Sequence, residues 1–265
     1  MQNSLISRLG PDFPWIDRVH CLSSVDSTNL LAKRMAAQGA PHGTLLLAAH
    51  QTAGRGRLGR SFHSPEGQGL YLSLLLRPGC PAEDLMHLTC AAAVAMCDAL
   101  ERACGVRPGI KWTNDLVWGT RKLGGILTEL GWTGDGRLDY AIVGIGINRC
   151  QQIADFPEEI RDMAASAAMM AGKPIDPAVL AEAMIRALWE MDTNLLTHKA
   201  QMLTRYRRDC ITLGKQISLL SPDGTRYGRA LDVDEAGALV VEFTDGSIQP
   251  VAAGEVSVRG MYGYI

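Results

Sequence analysis

The sequence contains no uncharged apolar run approaching the ~20 residues that a membrane-spanning helix needs. Its first residues carry Asp12 and Asp17 and no apolar core segment, so they lack the pattern of a secretory leader. No Cys-x-x-Cys pair occurs, and seven cysteines are an odd number, which argues against a disulfide framework and fits a reducing cytosol. The six histidines stand singly, with no His-x-x-x-His and no Cys/His pair, so no protein-bound metal is expected. Internal repeats and low-complexity segments are absent. A net charge of −2 over 265 residues leaves no general footprint for nucleic acid. These absences describe a soluble, cytoplasmic protein with neither membrane nor nucleic acid as partner. What is present, 47% hydrophobic and 20% charged residues, is enough for a proper core in one large domain with or without a small appendage.

Against that near-neutral background one segment stands out. Gly54-Arg55-Gly56-Arg57-Leu58-Gly59-Arg60 packs three glycines and three arginines into seven residues. It reads as Gly-x-Gly-x-x-Gly, the dinucleotide-binding fingerprint, which works only when its last glycine opens a helix whose amides hold a pyrophosphate. The run 45–49 supplies a preceding strand, but Ser64-Pro65-Glu66-Gly67-Gln68-Gly69 and a second strand over 70–76 leave no room for the helix. Glycine loses the most backbone entropy on ordering, and clustered guanidiniums repel unless an anion sits among them. The segment therefore reads as a mobile cationic flap for phosphate or carboxylate, the groups arginine recognises bidentately.

Around it, the pattern predicts a helix over 25–39, with Ser27 or Thr28 as its cap, Leu30, Leu31, Met35 and Ala36 as its apolar stripe and Gly39 as its stop. Pro81 is read as opening a long helix that runs to Cys104 and stops at Gly105. A hairpin over 115–130 turns at Gly119-Thr120-Arg121, the run 138–147 reads as a central buried strand, and 157–210 is helical with a break at Gly172-Lys173-Pro174. Beyond Gly214 the texture changes to five short strands of four to six residues, with turns at Asp223-Gly224, Glu235-Ala236-Gly237 and Asp245-Gly246, which reads as a small barrel. A domain boundary is expected near residue 213.

Two further motifs can carry chemistry. Lys111-Trp112-Thr113-Asn114-Asp115 ends a strand in a lysine, which can aim an ammonium into a cleft or snorkel over the surface; Asn114 and Asp115 can serve a ligand or simply form the turn. Gly124-Gly125 inside a strand marks close approach by a ligand or another backbone. Asp26-Ser27-Thr28-Asn29 is explained as a helix start, and could also offer amides and hydroxyls to a neutral polar group.

Taken together, Asp26-Ser-Thr-Asn29, Gln51-Thr-Ala-Gly-Arg-Gly-Arg-Leu-Gly-Arg60, Lys111-Trp-Thr-Asn-Asp115, Lys122-Leu-Gly-Gly-Ile-Leu127 and Gly144-Ile-Gly-Ile-Asn148 resemble the biotin–protein ligases in order and spacing. The run from Gly237 to Val241 and that from Gly254 to Arg259 resemble the small SH3-like domain of that family. The resemblance implies an α+β fold: a mixed or antiparallel central sheet flanked by helices, class II synthetase-like and shared by biotin and lipoate ligases, over residues 1–213, with a C-terminal SH3-like β-barrel over 214–265. It implies an enzyme that activates biotin with ATP as biotinyl-5′-adenylate, then transfers biotin to one lysine of the biotin carboxyl carrier domain of a carboxylase such as acetyl-CoA carboxylase. Magnesium would come with ATP, held mainly by phosphates.

By motif match, biotin is expected at Ser27, Thr28, Asn29, Gln51, Gly54, Arg55, Gly56, Arg57, Lys111, Gly124 and Gly125. ATP or the adenylate is expected at Arg57, Arg60, Phe62, Lys111, Asn114 and Asn148, with Lys111 and Arg57 as the catalytic pair. The sequence departs from the family where proline is usual and Thr113 stands, and where tryptophan is common and Phe62 stands. About 25 residues precede Asp26, too few for the helix-turn-helix domain that makes some members repressors, so no DNA-binding role is expected by that route. The alternatives are a lipoate or octanoate ligase or transferase, and a non-catalytic biotin-sensing regulator. A barrel that binds nucleic acid is disfavoured by Asp223, Asp232, Asp234, Glu235, Glu242, Asp245 and Glu255. A homodimer could form by pairing of an exposed strand.

Overall fold

A computed structural model of the chain describes residues 1–221, 224–252 and 254–258. Asp223, in a turn read from the sequence, and Arg259, at the end of the resemblance, lie outside the described residues, as does the rest of the barrel segment beyond 258.

The first sheet has seven strands: β1 (Val19–Leu22), β2 (Thr44–Ala48), β3 (Gly69–Leu76), β4 (Gly109–Lys111), β5 (Asp115–Trp118), β6 (Arg121–Trp132) and β7 (Leu138–Asn148). Their order is β1-β2-β3-β7-β6-β5-β4, with β1 and β2 parallel and every other pair antiparallel. The sheet is therefore mixed, and β7 is its centre, as its apolar run predicts.

Side chains alternate between the faces of a strand, and that alternation divides this sheet sharply. Leu70, Leu72, Leu74 and Leu76 of β3 and Ala141, Val143, Ile145 and Ile147 of β7 join the main core. That core is completed by α1 (Gln2–Leu9), α3 (Leu88–Cys104), α5 (Pro177–Asn194) and α6 (Lys199–Asp209). Helix α3 is buried almost all round, and its alanines at 91, 92, 93, 95 and 99 leave room for close packing. Among the described residues, the helix seated on the opposite face is α2 (Thr28–Ala37), through Ala32 and Ala36 on Leu46, Leu75 and Ile142. The rest of that face is open for a site.

Several expectations shift. Helix α2 begins at Thr28, because Val25 pairs with Gln51 and the Ser27 amide donates to Asp26 Oδ1 at 2.7 Å. Ser27 stands at the cap position without a capping side-chain bond. The buried side of α2 is Thr28, Asn29, Ala32 and Ala36; of the expected stripe, Ala36 is buried and Leu31 and Met35 pack partly buried beside it, while Leu30 does not join that cluster. Helix α3 starts at Leu88, after a separate 3-10 turn at Ala82–Leu85; buried His87, bonded to the Leu195 carbonyl at 2.9 Å, sits at the joint. The segment 161–166 is not helical, since Ala164 pairs with Lys122 beside the hairpin; α4 (Ala167–Ala171) follows and ends at Gly172 in the left-handed region. Helix α1 was not foreseen at all. It packs by Leu5 and Leu9, and Arg186 donates to the Arg8 and Leu9 carbonyls at its end.

A second, fully antiparallel sheet is built from β8 (Gln216–Ser221), β9 (Gly224–Val233), β10 (Leu239–Phe243), β11 (Ile248–Val251) and β12 (Glu255–Val258), in the order β11-β10-β9-β8-β12. Five strands were expected, but β9 has ten residues rather than four to six, because it pairs along both β8 and β10.

Arg107, just before β4, ties this architecture together. It meets Asp209 at 2.5 Å, Asp98 at 2.8 Å and Glu101 at 2.8 Å, joining α3 to the end of α6. Burial alone would raise the carboxyl of Asp209, but hydrogen bonds and charge from Arg107 and Arg208 hold it below the usual carboxylate value. Arg107→Ala leaves Asp209 paired with Arg208 alone and unties α3 from the end of α6, and is expected to cost about 1–3 kcal/mol, measured by chemical denaturation against wild type.

Candidate active site

The open face of the first sheet holds a cavity of about 440 Å³. Its floor exists because β7 places Gly144 and Gly146 toward that face, opposite Leu127 and Gly125 of β6. A Cβ on Gly144 would lie 2.0 Å from Asn29 Oδ1, and one on Gly146 would lie 2.6 Å from the Phe62 ring. The two glycines are the seats of those side chains.

One end of the cavity is a neutral hydrogen-bonding network. Gln51 Oε1 accepts from the Thr28 amide at 2.9 Å and from the Thr28 hydroxyl at 3.1 Å, while its Nε2 donates to Ser64 Oγ at 3.2 Å. Ser73 on β3 lies 2.7 Å from the Thr28 hydroxyl and 2.6 Å from Asn29 Oδ1. Buried hydroxyls and amides must be paired, and here each pairing fixes a side chain at the cavity's edge.

Glu129 on β6 anchors the start of α2 and the arginine loop together. It accepts from Lys33 at 2.7 Å, Asn29 at 2.9 Å and Arg55 at 3.2 Å. Burial alone would raise its carboxyl; bonds from Lys33 and Asn29, with the charges of Lys33 and Arg55, hold it below the ordinary value.

The arginine loop folds back on itself as a hairpin. Arg55 pairs with Ser61, the Gly56 amide donates to the Arg60 carbonyl at 2.7 Å, and the Phe62 amide donates to the Gly54 carbonyl at 2.9 Å. Its tip is a 3-10 turn over Arg57–Gly59 with Leu58 at φ 54°, and β3 follows without an α-helix. That geometry rules out the dinucleotide fingerprint. The tip docks on the opposite wall, where Arg57 donates to Asn114 Oδ1 at 3.0 Å.

That wall is the turn between β4 and β5. Asn114 exchanges hydrogen bonds with Ile126, its Nδ2 donating at 2.8 Å and its carbonyl accepting at 3.0 Å. Tyr206 from α6 donates to the Thr113 carbonyl at 2.9 Å, the Trp112 amide donates to Thr212 Oγ1 at 2.9 Å, and the Trp112 indole donates to the Gly237 carbonyl at 3.0 Å. The second sheet thereby helps set the turn. Lys111, at the end of β4, is 7% exposed and borders the cavity, so its ammonium acts in a low-dielectric setting. Lys122 pairs with Asp115 at 2.6 Å.

All the residues assigned from the sequence to biotin or ATP border the cavity except Gly54 and Gly124. Gly124 faces the other side of the sheet, one residue out of phase with Gly125, and a Cβ there would strike the Gly146 carbonyl and Ile147. Gly54 is buried within the loop's own hairpin, where a Cβ would lie 2.5 Å from the Phe62 carbonyl oxygen. Asn148 borders the cavity while its amide donates to the Ala165 carbonyl at 3.0 Å. Sequence reasoning missed Ser73 and Glu129, and it named Gly144 and Gly146 only as parts of a motif.

A mixed sheet with a cationic loop and a buried lysine around one cavity makes a site suited to anionic ligands. Residues 21–148 match the biotin/lipoate A/B protein ligase family, and 212–259 match the biotin protein ligase C-terminal domain. The chain is 38% identical to the bifunctional ligase/repressor BirA of Bacillus subtilis over 84% of its own length and 68% of that protein. It is 32% identical to the biotin–[acetyl-CoA-carboxylase] ligase of Paracoccus denitrificans over 90% of itself and 100% of that chain. In three dimensions it is similar to the biotin protein ligase of Aquifex aeolicus in complex with biotin and ATP, with a TM-score of 0.75 and 31% identity over 91% of this chain and 98% of that one. The chain belongs to the biotin protein ligase family.

Two outcomes follow from the geometry. Gly144→Ala must displace Asn29 from Ser73 and Glu129, and is expected to lower stability by about 1–3 kcal/mol, measured by denaturation. Glu129 has a folded value below the ~4.3 of an unfolded chain, so its ionised form stabilises the protein above that value, and the contribution is lost as pH falls through the folded value. Denaturation of wild type and Glu129→Gln between neutral and acid pH is expected to show a wild-type advantage that fades in acid.

Proposed function

We propose that this protein is an ATP-dependent biotin–protein ligase. It joins the biotin carboxylate to the α-phosphate of ATP with release of pyrophosphate, then passes biotin from the adenylate to one lysine of the carrier domain of a carboxylase such as acetyl-CoA carboxylase. The observation that carries this reading is the union of two unlike ends in one cavity. Thr28 and Gln51, backed by buried Ser73, make a neutral hydrogen-bonding end, suited to the uncharged ureido ring of biotin. Arg57, Arg60 and Lys111 border the same space with positive charge, suited to two anions that must approach against their repulsion.

In this reading Ser27, Thr28, Asn29, Gln51, Arg55, Gly56 and Gly125 surround biotin, while Gly54 and Gly124 act only by keeping loop and sheet closely packed. Arg57 and Arg60 hold carboxylate and phosphates; the contact of Arg57 with a neutral amide leaves its charge available to them. Lys111 lies between carboxylate and α-phosphate and offsets the charge that grows there in the transition state. Phe62, Asn114 and Asn148 line the adenosine side.

We assign magnesium to the nucleotide rather than to the protein. It arrives with ATP and is held mainly by the phosphates. No helix among the described residues is long and apolar enough to cross a membrane. We infer a cytoplasmic setting, in keeping with seven free cysteines, and a homodimer through a sheet edge is compatible with the reading.

The test is mass spectrometry of a biotin carboxyl carrier domain incubated with the protein, biotin and Mg-ATP. A gain of one biotinyl group on a single lysine is expected, and none with lipoate in place of biotin; the reverse result would transfer the protein to the lipoate branch. Lys111→Ala is expected to slow adenylate formation by on the order of 10²–10³-fold, read as pyrophosphate release in a single turnover.

A further inference from the structure

A second cavity, of about 190 Å³, adjoins the first, and Arg57, Ile126 and Leu127 border both. Its remaining walls come from Thr89 and Cys90 at the start of α3, Thr113 in the turn after β4, Thr128 on β6 and Gly237 in the turn before β10. Small-molecule sites typically enclose ~300–1,000 Å³. This one is too small for a second nucleotide or a second biotin, and of a size for one unbranched side chain.

Charge narrows the occupant further. Among the described residues that border the cavity, Arg57 alone carries an acidic or basic side chain at neutral pH; burial pushes the Cys90 thiol up to about 12, so it stays protonated. The Thr89 and Thr128 hydroxyls face each other at 2.7 Å. One donates to the other, and both keep a lone pair that can accept from an N–H. Met86 borders the cavity and is 53% exposed, which gives it an apolar contact for an incoming protein surface.

We propose that this cavity receives the acceptor lysine of the carrier domain and leads its amine past Arg57 to the acyl carbon of the adenylate, an inference that rests on reading the first cavity as the adenylate site. Neutral walls and a neighbouring guanidinium both disfavour an ammonium, so the lysine sheds one proton to water and arrives as the neutral nucleophile that acyl transfer requires. Its nitrogen then attacks the acyl carbon. The C–N bond forms, the C–O bond to phosphate breaks, AMP leaves with that electron pair, and the second nitrogen proton passes to water.

The test separates the two half-reactions. Thr128→Leu, and independently Thr89→Leu on the facing wall, fill the cavity without touching the first. In either folded variant, pyrophosphate release from biotin and ATP is expected at the wild-type rate, while transfer to a carrier domain falls about tenfold or more. On the unaltered protein, n-pentylamine is expected to accept biotin and to compete with the carrier domain. Transfer at the wild-type rate in a folded variant, equal loss of both steps, or no competition by the amine would each overturn the proposal. Absence of pyrophosphate release in the wild type would instead overturn the reading of the first cavity.

Discussion

The site depends on one asymmetry in a single strand. On its core face β7 carries Val143, Ile145 and Ile147; on the other it carries Gly144 and Gly146. The first set fastens the sheet to α3 and its neighbours. The second removes the side chains that would otherwise fill the open face, and the space left seats Asn29 and Phe62 and opens the cavity beside them. Period-two alternation lets the same eleven residues serve as core and as floor.

Charge around that floor is apportioned rather than simply accumulated. Glu129 holds Lys33 and Arg55, and Asp115 holds Lys122. These pairs set the framework. Arg57 instead reaches a neutral amide on a turn that Tyr206, Thr212 and Gly237 fix from three directions. A cation held by a neutral partner keeps its field for a ligand, whereas a paired one contributes position. The separation explains how so many basic side chains can border one cavity in a protein of nearly neutral charge.

The loop, the hairpin, the central strand and the C-terminal strands were all legible in the sequence, because each is announced by local signals: glycine at turns and alternating or continuous apolar runs. The lysine and the arginines were legible as residue types in a pattern. Glu129 was not, since an acid in a hairpin strand looks like an ordinary exposed position until Lys33, Asn29 and Arg55, distant in sequence, are brought to it. Ser73 was hidden in an apolar run for the same reason. Gly124 and Gly125 read as one feature, and only the register with β7 shows that they face opposite sides.

By itself, the sequence determined the hairpin, the central strand and the C-terminal strands, the order of the motifs and the residue types of the arginine loop and Lys111, because these follow from local propensity and residue type. Tertiary structure decided which face of the sheet is open, that the loop closes into a hairpin docked on Asn114, and that the second sheet reaches the site through Gly237. Those outcomes depend on strand register and on contacts between residues far apart in the chain, which no local pattern encodes.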